Sequence, residues 1–377
     1  MENRPLIGIL VSSRNSRKRI LKLYQRYHNL DLQLYAFTPA DIRWKKQRII
    51  GLSLKKGIGK QRSFPFPHVV YNRCFNKKSI TIQRLEETIG SNKCFNNVNF
   101  FNKWDLYNLL IQSTIKPYVP DTLLYNEGNV SDLLEKYNLV FIKPSYGFRG
   151  KSVYRVERTD TDEVHISLHS LAPRYIFRKN ESFQGKLDAL LGLKKKKYMV
   201  QQGIRMSRLD DQYFDIRVLV QKGILGEWTV SIIACRVAYH QYFNTSMCEG
   251  IYDVAEILPR IFSQEKTNEI IQTLNEVSLK AAQEAETHMG SLGELSVDFV
   301  IDEHKKLWII ELNGKPQKNI YKDLKNVTHK EQIYSKPLEY AYYLSQSCLA
   351  YDSASVQPVS ATSDLSTASL KIPSPSE

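Results

Sequence analysis

Two acidic residues near the end of this chain lie inside short apolar segments, an arrangement that few folds accommodate. Asp298 falls within Leu295–Ile301, and Glu311 falls within Leu307–Leu312, with Asn313 directly after it. The polar turn between the two segments predicts a β-hairpin. A carboxylate among apolar side chains is costly unless it is paired or bound to a metal, so we favour a binding site over a solvated surface.

The spacing of these polar residues indicates a metal site. Glu311 and Asn313 lie two positions apart, and because side chains alternate along a strand, both face the same side. If Asp298 faces that side as well, three oxygen ligands converge. Such ligands suit Mg²⁺ that is held jointly by the protein and by substrate phosphates. The alternative is that the acidic residues point to solvent.

A basic, glycine-containing turn is predicted earlier in the chain. The segment Leu139–Lys143 is typical of a strand that ends in lysine, and Ser152–Val156 is typical of the returning strand. Gly147 and Gly150 lie between them, where glycine lets backbone N–H groups approach phosphate oxygens. The turn therefore predicts phosphate binding, although it lacks the ending of a Walker loop. For Lys143 alone, a solvated strand end is the simpler interpretation.

Two arginines are predicted to lie in apolar strands. Arg217 follows Asp215 by two positions, which places both on one strand face, and Arg236 lies in the apolar segment 234–238. A buried guanidinium needs an anionic partner, and a phosphate would serve. An internal salt bridge is an equally simple interpretation for each arginine.

Length and pattern indicate more than one domain. The 377 residues exceed one comfortable hydrophobic core. Residues 1–98 alternate strand-like and helix-like patterns, which predicts a small N-terminal α/β domain. From Tyr351 onward the chain consists largely of Ser, Thr, Ala and Pro, so we expect a disordered tail over residues 349–377.

The formal net charge of +14 is concentrated in the N-terminal domain, where residues 1–100 carry 20 Lys and Arg against 5 Asp and Glu. A solvated basic face is the favoured interpretation. The alternative is attraction of an anionic partner, such as an acidic peptide, an envelope or coat component, or nucleic acid. Nucleic acid is the least favoured of these, because no RNA-binding signature, zinc finger or basic helix with heptads is present.

The cysteines and the apolar segments bear on where the protein resides. The five cysteines form no Cys-x-x-Cys pair and are expected to be reduced thiols. The first apolar segment, Leu6–Val11, is too short for a signal peptide core or a membrane span. We therefore expect a cytoplasmic protein with no membrane span.

The order of several short motifs over roughly residues 100–330 resembles the ATP-grasp superfamily. In chain order these motifs are Asn102-Lys103-Trp-Asp, Pro120-Asp-Thr122, Phe141-Ile-Lys143-Pro, the glycine turn, Tyr198-Met-Val-Gln-Gln202, Asp215-Ile-Arg217, Arg236, Asp298 and Glu311-Leu-Asn313. Each motif is weak alone, and together they are fairly specific. More narrowly, the segments 215–221, 227–230 and 308–316 resemble the YheC/YheD family, which is associated with the coats of bacterial endospores.

The resemblance implies how a nucleotide is held. ATP would lie between two α+β subdomains of an ATP-grasp domain over residues 99–348, with Lys103 and Lys143 on its phosphates. The turn that contains Gly147 and Gly150 would close over those phosphates. Adenine would contact, largely through backbone, a hinge strand formed by Met199, Val200, Gln201 and Gln202. Many relatives carry an acidic residue in this hinge, where the present chain has two glutamines.

The resemblance also implies the catalytic set. Asp298, Glu311 and Asn313 would bind one or two Mg²⁺ ions, for which Mn²⁺ could substitute, and Arg217 and Arg236 would stabilise the transferred phosphoryl group. The implied activity is a carboxylate-amine or carboxylate-thiol ligase that proceeds through an acylphosphate. A catalytically silent coat protein and a kinase-like phosphotransferase on the same fold are the alternatives. Spore-coat association is a further implication.

Overall fold

The computed structural model describes residues 4–75, 79–147, 150–192, 197–324 and 327–354. Within these ranges the chain forms three β-sheets flanked by helices, which confirms the expected mixed α/β fold class. Within the described ranges, no helix is long and apolar enough to span a membrane. The tail beyond residue 354, and positions 148 and 149 of the predicted glycine turn, lie outside the described residues.

The first sheet belongs to the N-terminal part of the chain. Its elements are β1 (Leu6–Leu10), α1 (Ser16–Arg26), β2 (Gln33–Phe37), β3 (Ile42–Arg43), β4 (Arg48–Lys55), β5 (Ile58–Phe64), β6 (Val69–Asn72), α2 (Ile80–Ile89) and β7 (Cys94–Phe95). The strand order is β3-β4-β2-β1-β6-β7, with β5 paired to β4. All five residues of β1 are buried, and β1 runs parallel to β2 and β6, as a short continuous apolar strand should in such a sheet.

The second sheet forms the middle of the chain. Its elements follow α3 (Lys103–Leu110) and are β8 (Thr122–Leu124), α4 (Glu127–Tyr137), β9 (Leu139–Pro144), β10 (Tyr154–Arg158), β11 (Val164–Leu168), β12 (Tyr175–Phe177), α5 (Gln184–Leu191) and β13 (Tyr198–Gln202). The strand order is β12-β11-β10-β9-β13-β8. Antiparallel pairing of β9 with β10 confirms the predicted basic hairpin, and β13 borders β9 on the other side.

The third sheet carries the two acidic segments. Its elements are β14 (Arg208–Leu209), β15 (Gln212–Lys222), β16 (Trp228–Ala238), β17 (Cys248–Asp253), α6 (Val254–Ile257), α7 (Gln264–Met289), β18 (Glu294–Ile301) and β19 (Leu307–Asn313). The strand order is β17-β16-β15-β18-β19, with β14 paired to β15. An apolar stripe of α7 packs into the core of this sheet through Ile270, Leu274, Val277, Ala281 and Ala285.

The last helix, α8 (Val327–Ala354), connects the first and third sheets. It was not predicted, and its helical backbone continues past residue 349, where we expected the tail to begin. Its residues Leu338, Tyr340 and Ala341 are buried in the core of the first sheet. Ile333, on the same helix, packs instead in a small core with Leu219 of β15.

A buried polar network joins the first sheet to the third. Glu294, at the start of β18, forms salt bridges with Lys318 and, at 3.6 Å, with Arg73. Tyr71 of β6 donates a hydrogen bond to the same carboxylate, and the Tyr24 hydroxyl lies 2.9 Å from the Tyr71 hydroxyl. Burial alone would raise the pKa of Glu294, but Lys318 and Arg73 hold it below its ordinary value. The carboxylate therefore stays ionised and fixes the N-terminal sheet against the strand that leads to Asp298.

Candidate functional site

Strand register brings the predicted charged residues together on the third sheet. Asp298 of β18 lies opposite Glu311 of β19 on one side and opposite Arg217 of β15 on the other. One step along the sheet, Asp215 of β15 lies opposite Arg236 of β16. The β18–β19 pairing confirms the predicted hairpin, and its register shifts by one residue beside Asp298, as β-bulges near functional sites often do.

Asp298 is buried and is held by both arginines. Arg217 donates two hydrogen bonds to its carboxylate, at 2.7 and 2.6 Å, and Arg236 donates a third at 3.0 Å. Burial alone would raise the pKa of Asp298, but the two guanidinium groups hold it below its ordinary value. Asp298 is thus ionised and holds both arginines in place. Each arginine therefore forms an internal salt bridge, which was one of the two interpretations that the sequence allowed.

Arg236 also binds a second carboxylate. It forms a bidentate pair with Asp215, and the Thr245 hydroxyl donates a hydrogen bond to the same carboxylate. Burial would lower the pKa of Arg236, but Asp215 and Asp298 raise it above its ordinary value. Two arginines and two carboxylates therefore form a compact, charge-balanced cluster on this face of the sheet.

Glu311 faces a lysine from another part of the chain. Its carboxylate lies 3.1 Å from Nζ of Lys103, the first residue of α3, and Lys103 also donates to the Gly147 carbonyl at 3.1 Å. The Glu311 side chain is 25% exposed. Asn313 donates a long hydrogen bond of 3.5 Å from its amide nitrogen to Asp298, which leaves its amide oxygen for another partner.

Lys143 lies in an environment that disfavours its charge. Its Nζ donates to the side-chain oxygen of Gln201 at 2.6 Å, and Gln201 in turn donates to Thr122 at 3.2 Å. Burial lowers the pKa of Lys143 to about 8; the nearby Glu311 raises it, and Lys103 lowers it further. Because the closest partner of this ammonium group is a neutral amide, binding of an anion beside it would stabilise its charged form.

The glycine turn can approach the lysines only because it lacks side chains. A Cβ at Gly147 would lie 2.9 Å from the ring of Pro144. Gly150 has a φ of 62°, in the left-handed region, and a Cβ there would collide with the Asn244 side chain. Both glycines therefore permit a close backbone approach, as the sequence predicted.

A single large cavity of about 1680 Å³ connects these groups. Nearly all of the predicted residues line it, and these are Lys103, Lys143, Gly147, Gly150, Gln201, Gln202, Arg217, Arg236, Asp298, Glu311 and Asn313. The predicted hinge residues Met199 and Val200 are buried and do not line it. Val200 packs in the core of the second sheet, so any contact from these two positions to a ligand would have to come from backbone.

Sequence reasoning missed the apolar part of this cavity. The apolar lining includes Phe141, which pairs with the hinge strand at Gln201, and Ile204, Met206, Val300 and Ile310. These residues come from four separate segments, and each resembles an ordinary core residue in its local pattern. The only available signal was that Phe141 and Ile310 neighbour residues already singled out, two positions before Lys143 and one before Glu311.

The donor set fits a magnesium ion that is shared with a substrate. Among the described residues, no group of three or more His, Cys, Asp or Glu side chains is arranged for a metal. Asp298 is saturated by arginine, whereas the Glu311 carboxylate and the Asn313 amide oxygen remain as hard donors at the cavity wall. Two protein oxygens completed by phosphate and water are typical of Mg²⁺.

Comparisons with known proteins agree with this geometry. A family model described as "YheC/D like ATP-grasp" matches residues 91–344. The chain is 26% identical to the endospore coat-associated protein YheD of Bacillus subtilis (strain 168), over 92% of this chain and 80% of that protein. It is 23% identical to the endospore coat-associated protein YheC of the same strain, over 86% of this chain and 91% of that protein.

Solved structures of low sequence identity share the fold. VanG D-Ala:D-Ser ligase from Enterococcus faecalis superposes with a TM-score of 0.52 at 13% identity, over 91% of this chain and 100% of that one. At this identity the match concerns the fold alone.

Proposed function

This chain belongs to the YheC/D-like ATP-grasp family, and we propose that it is an ATP- and Mg²⁺-dependent ligase that joins a carboxylate to an amine or a thiol. One observation carries the proposal. A single cavity is lined by Lys103, Lys143 and the paired arginines together with Glu311, which pairs with Lys103, and Asn313, whose amide oxygen is left for another partner. That combination of cations and hard oxygens matches a magnesium nucleotide.

In this proposal the lysines hold the phosphates. Lys143 gains the anionic partner that its neutral neighbour Gln201 does not supply, and Lys103 exchanges Glu311 for a phosphate oxygen. Backbone N–H groups of the turn at Gly147 and Gly150 complete the cradle. The hinge of Met199, Val200, Gln201 and Gln202 contributes backbone beside the apolar lining, where adenine fits.

Glu311 and Asn313 hold the magnesium ion, or manganese in its place, and Asp298 joins them only if an arginine releases it. When bound, the ion supplies neutralisation of phosphate charge. Arg217 and Arg236 have the catalytic role of stabilising charge on the transferred phosphoryl group. Their carboxylate partners fix the guanidinium planes in advance, and such preorganisation lowers the cost of reaching the transition state.

The proposed reaction has two steps. A substrate carboxylate oxygen attacks the γ-phosphorus of ATP, the bond to the bridging oxygen breaks, and ADP leaves with an acylphosphate formed. An amine or thiol then attacks the acyl carbon, loses its proton, and expels inorganic phosphate. Positioning and charge neutralisation supply nearly all of such catalysis, so no protein nucleophile is required.

Two further proposals concern organisation and location. We propose an N-terminal α/β domain over residues 1–98, an ATP-grasp domain over 99–348 and a tail over 349–377. The two curated relatives are named endospore coat-associated, which supports a cytoplasmic protein that joins the spore coat. The same names favour a second candidate, a coat protein that binds ATP without turnover.

Trapping with hydroxylamine tests the ligase. The protein is incubated with ATP, Mg²⁺, hydroxylamine and a panel of carboxylates, and hydroxamate, ADP and phosphate are measured. A ligase forms all three in equal amounts, whereas Glu311→Gln should form none. A kinase acting on a hydroxyl would yield ADP and a stable phosphate ester without hydroxamate. ATP binding without ADP formation across the panel would favour the silent coat protein.

A further inference from the structure

The cavity that holds the proposed nucleotide site continues to the N-terminal sheet with a large excess of positive charge. Among the described residues that line it are twelve Lys or Arg side chains and three Asp or Glu side chains. All three acids, Asp215, Asp298 and Glu311, lie at the nucleotide end and are already paired with Arg or Lys. Of the cations at the far end, Arg73 and Lys318 pair with Glu294, which does not line the cavity, and the others have no acid of the lining as a partner.

Helix α1 supplies a row of these cations. Arg19, Lys22 and Arg26 line the cavity and are spaced by three and four positions, which places them on one face of the helix. All three are exposed, and within the described ranges none forms a salt bridge with an acidic residue. The row extends over about 10 Å, at about 1.5 Å per helical residue. An elongated ligand with several negative charges matches such a row better than a single compact anion.

The segment that follows β19 adds cations to the same end of the cavity. Lys315 and Lys322 line it, and Lys315 forms no salt bridge with a carboxylate among the described residues. Lys315 lies four residues beyond Glu311 in the chain, and both residues line the cavity.

An aromatic surface lies beside the cations. Tyr27, at the end of α1, stacks on Tyr334 of α8 with ring centroids 5.4 Å apart, and both line the cavity. Such rings contact methylene groups and peptide planes. The cavity volume of about 1680 Å³ exceeds the roughly 300–1,000 Å³ of most small-ligand sites, so a nucleotide leaves space for a second ligand.

We propose that the α1 end of the cavity binds an acidic peptide, rich in Glu or Asp, as the carboxylate substrate. The inference rests on the proposed ligase function, because a peptide of this kind supplies both the charges that the row recognises and a carboxylate for activation. An extended chain advances about 3.3 Å per residue, so about three residues span the row. Because side chains of an extended chain alternate, about two carboxylates of such a stretch then face the row formed by Arg19, Lys22 and Arg26.

Fluorescence anisotropy with a labelled octaglutamate tests this on the full-length protein. Wild type should bind the peptide, and binding should weaken as salt rises from about 0.05 to about 0.5 M, because the Debye length shortens. The triple variant Arg19→Glu, Lys22→Glu, Arg26→Glu should weaken binding by at least about tenfold. Arg17 stays unchanged in this variant, since it is buried and forms a salt bridge with Asp41 at 3.1 Å.

A matched control carries the same change in charge outside the cavity. Lys18, Lys45 and Lys46 are exposed residues of the same domain that do not line the cavity. Their reversal to Glu should change peptide affinity by less than about threefold, because only long-range attraction is lost. Equal weakening in both variants would overturn the proposed site and leave a general basic surface.

ATP binding, measured by calorimetry on the same proteins, separates this inference from the proposed function. If wild type binds ATP but not octaglutamate, the peptide site is wrong and the ligase proposal stands. If it binds octaglutamate but not ATP, the reverse holds. Tripolyphosphate and octathymidylate serve as competitors, with ADP and Mg²⁺ present in excess so that the nucleotide end of the cavity is occupied. Tighter binding of either one than of octaglutamate at equal salt would overturn the assignment to an acidic peptide.

Discussion

The low pKa of Lys143 makes nucleotide affinity dependent on pH in a range where ATP itself no longer titrates. In the free protein the pKa of Lys143 is about 8. Only the protonated amine attracts phosphate, so affinity should be constant below pH 8 and fall above it. One unit above the pKa about one amine in ten is protonated, which corresponds to about a tenfold loss of affinity, or about 1.4 kcal/mol.

Variants of Lys143 and its partner give this prediction its controls. Lys143→Arg keeps its charge throughout, so calorimetric titrations with ATP and Mg²⁺ between pH 7 and pH 9.5 should show a flat profile. Gln201→Glu places a carboxylate where the amide now lies 2.6 Å from Nζ, and should move the break in the profile to higher pH. In Lys143→Ala a charged hydrogen bond worth about 1.5–3 kcal/mol is lost, which is roughly a 10- to 150-fold weakening.

Two results would refute the reasoning. A wild-type affinity that stays constant from pH 7 to pH 9.5 would mean that Lys143 is not the group on the phosphates, or that its environment does not lower its pKa. An equal fall in wild type and Lys143→Arg would assign the pH dependence to another group.

Three further substitutions test other parts of the fold and site. Glu311→Gln should abolish Mg²⁺-dependent ADP formation while the midpoint of thermal unfolding stays close to wild type, and wild-type turnover would contradict the metal assignment. Gly150→Ala should destabilise the protein to urea by about 1 kcal/mol or more, because its φ is 62°. Gly185→Ala is its control, since nothing lies within 4 Å of a Cβ in that helix. Glu294→Ala should cost about 3–5 kcal/mol in urea unfolding at pH 7, because Lys318 is left buried without its counter-charge.

The last substitution also has a pH signature. The pKa of Glu294 is lowered in the folded protein, so its stabilising contribution is present above the unfolded pKa of about 4.5 and is lost as pH falls through the folded value. The difference in unfolding free energy between wild type and Glu294→Ala should therefore shrink on acidification. A difference that stays constant down to pH 3 would place the stabilisation in packing and not in the charge.

Elements with a strong local pattern were predictable to within about one residue. The strands Leu139–Pro144, Glu294–Ile301 and Leu307–Asn313 each extend one residue beyond the apolar segment that predicted them. Their apolar residues recur at the period of one element type, and polar or glycine-containing stretches flank them. Local sequence is enough to predict such segments, because the apolar residues that form the pattern are the same residues that become buried in the fold.

Other elements were missed because their stability comes from elsewhere in the chain. β5 exposes most of its residues, so it has no apolar alternation to detect, and pairing with β4 holds it in place. α8 contains Pro337 in its interior, which local rules take as the end of a helix. Its buried face packs on two different sheets, and neither contact can be recognised from neighbouring residues.

The candidate site was also predictable only in part. The sequence identified its charged residues, because a charged side chain within an apolar strand is unusual and can be recognised from its neighbours alone. Which groups they pair with was not, because those pairs join residues 62 and 81 positions apart, and one step of register would turn every side chain to the opposite face. In the structure, Asp298, which was predicted as a metal ligand, pairs with two arginines, and Glu311 of β19 pairs with Lys103 of α3. Under the proposed function, a nucleotide and a metal would exchange with these ion pairs, and the strength of the pairs would set the affinity that the site can reach.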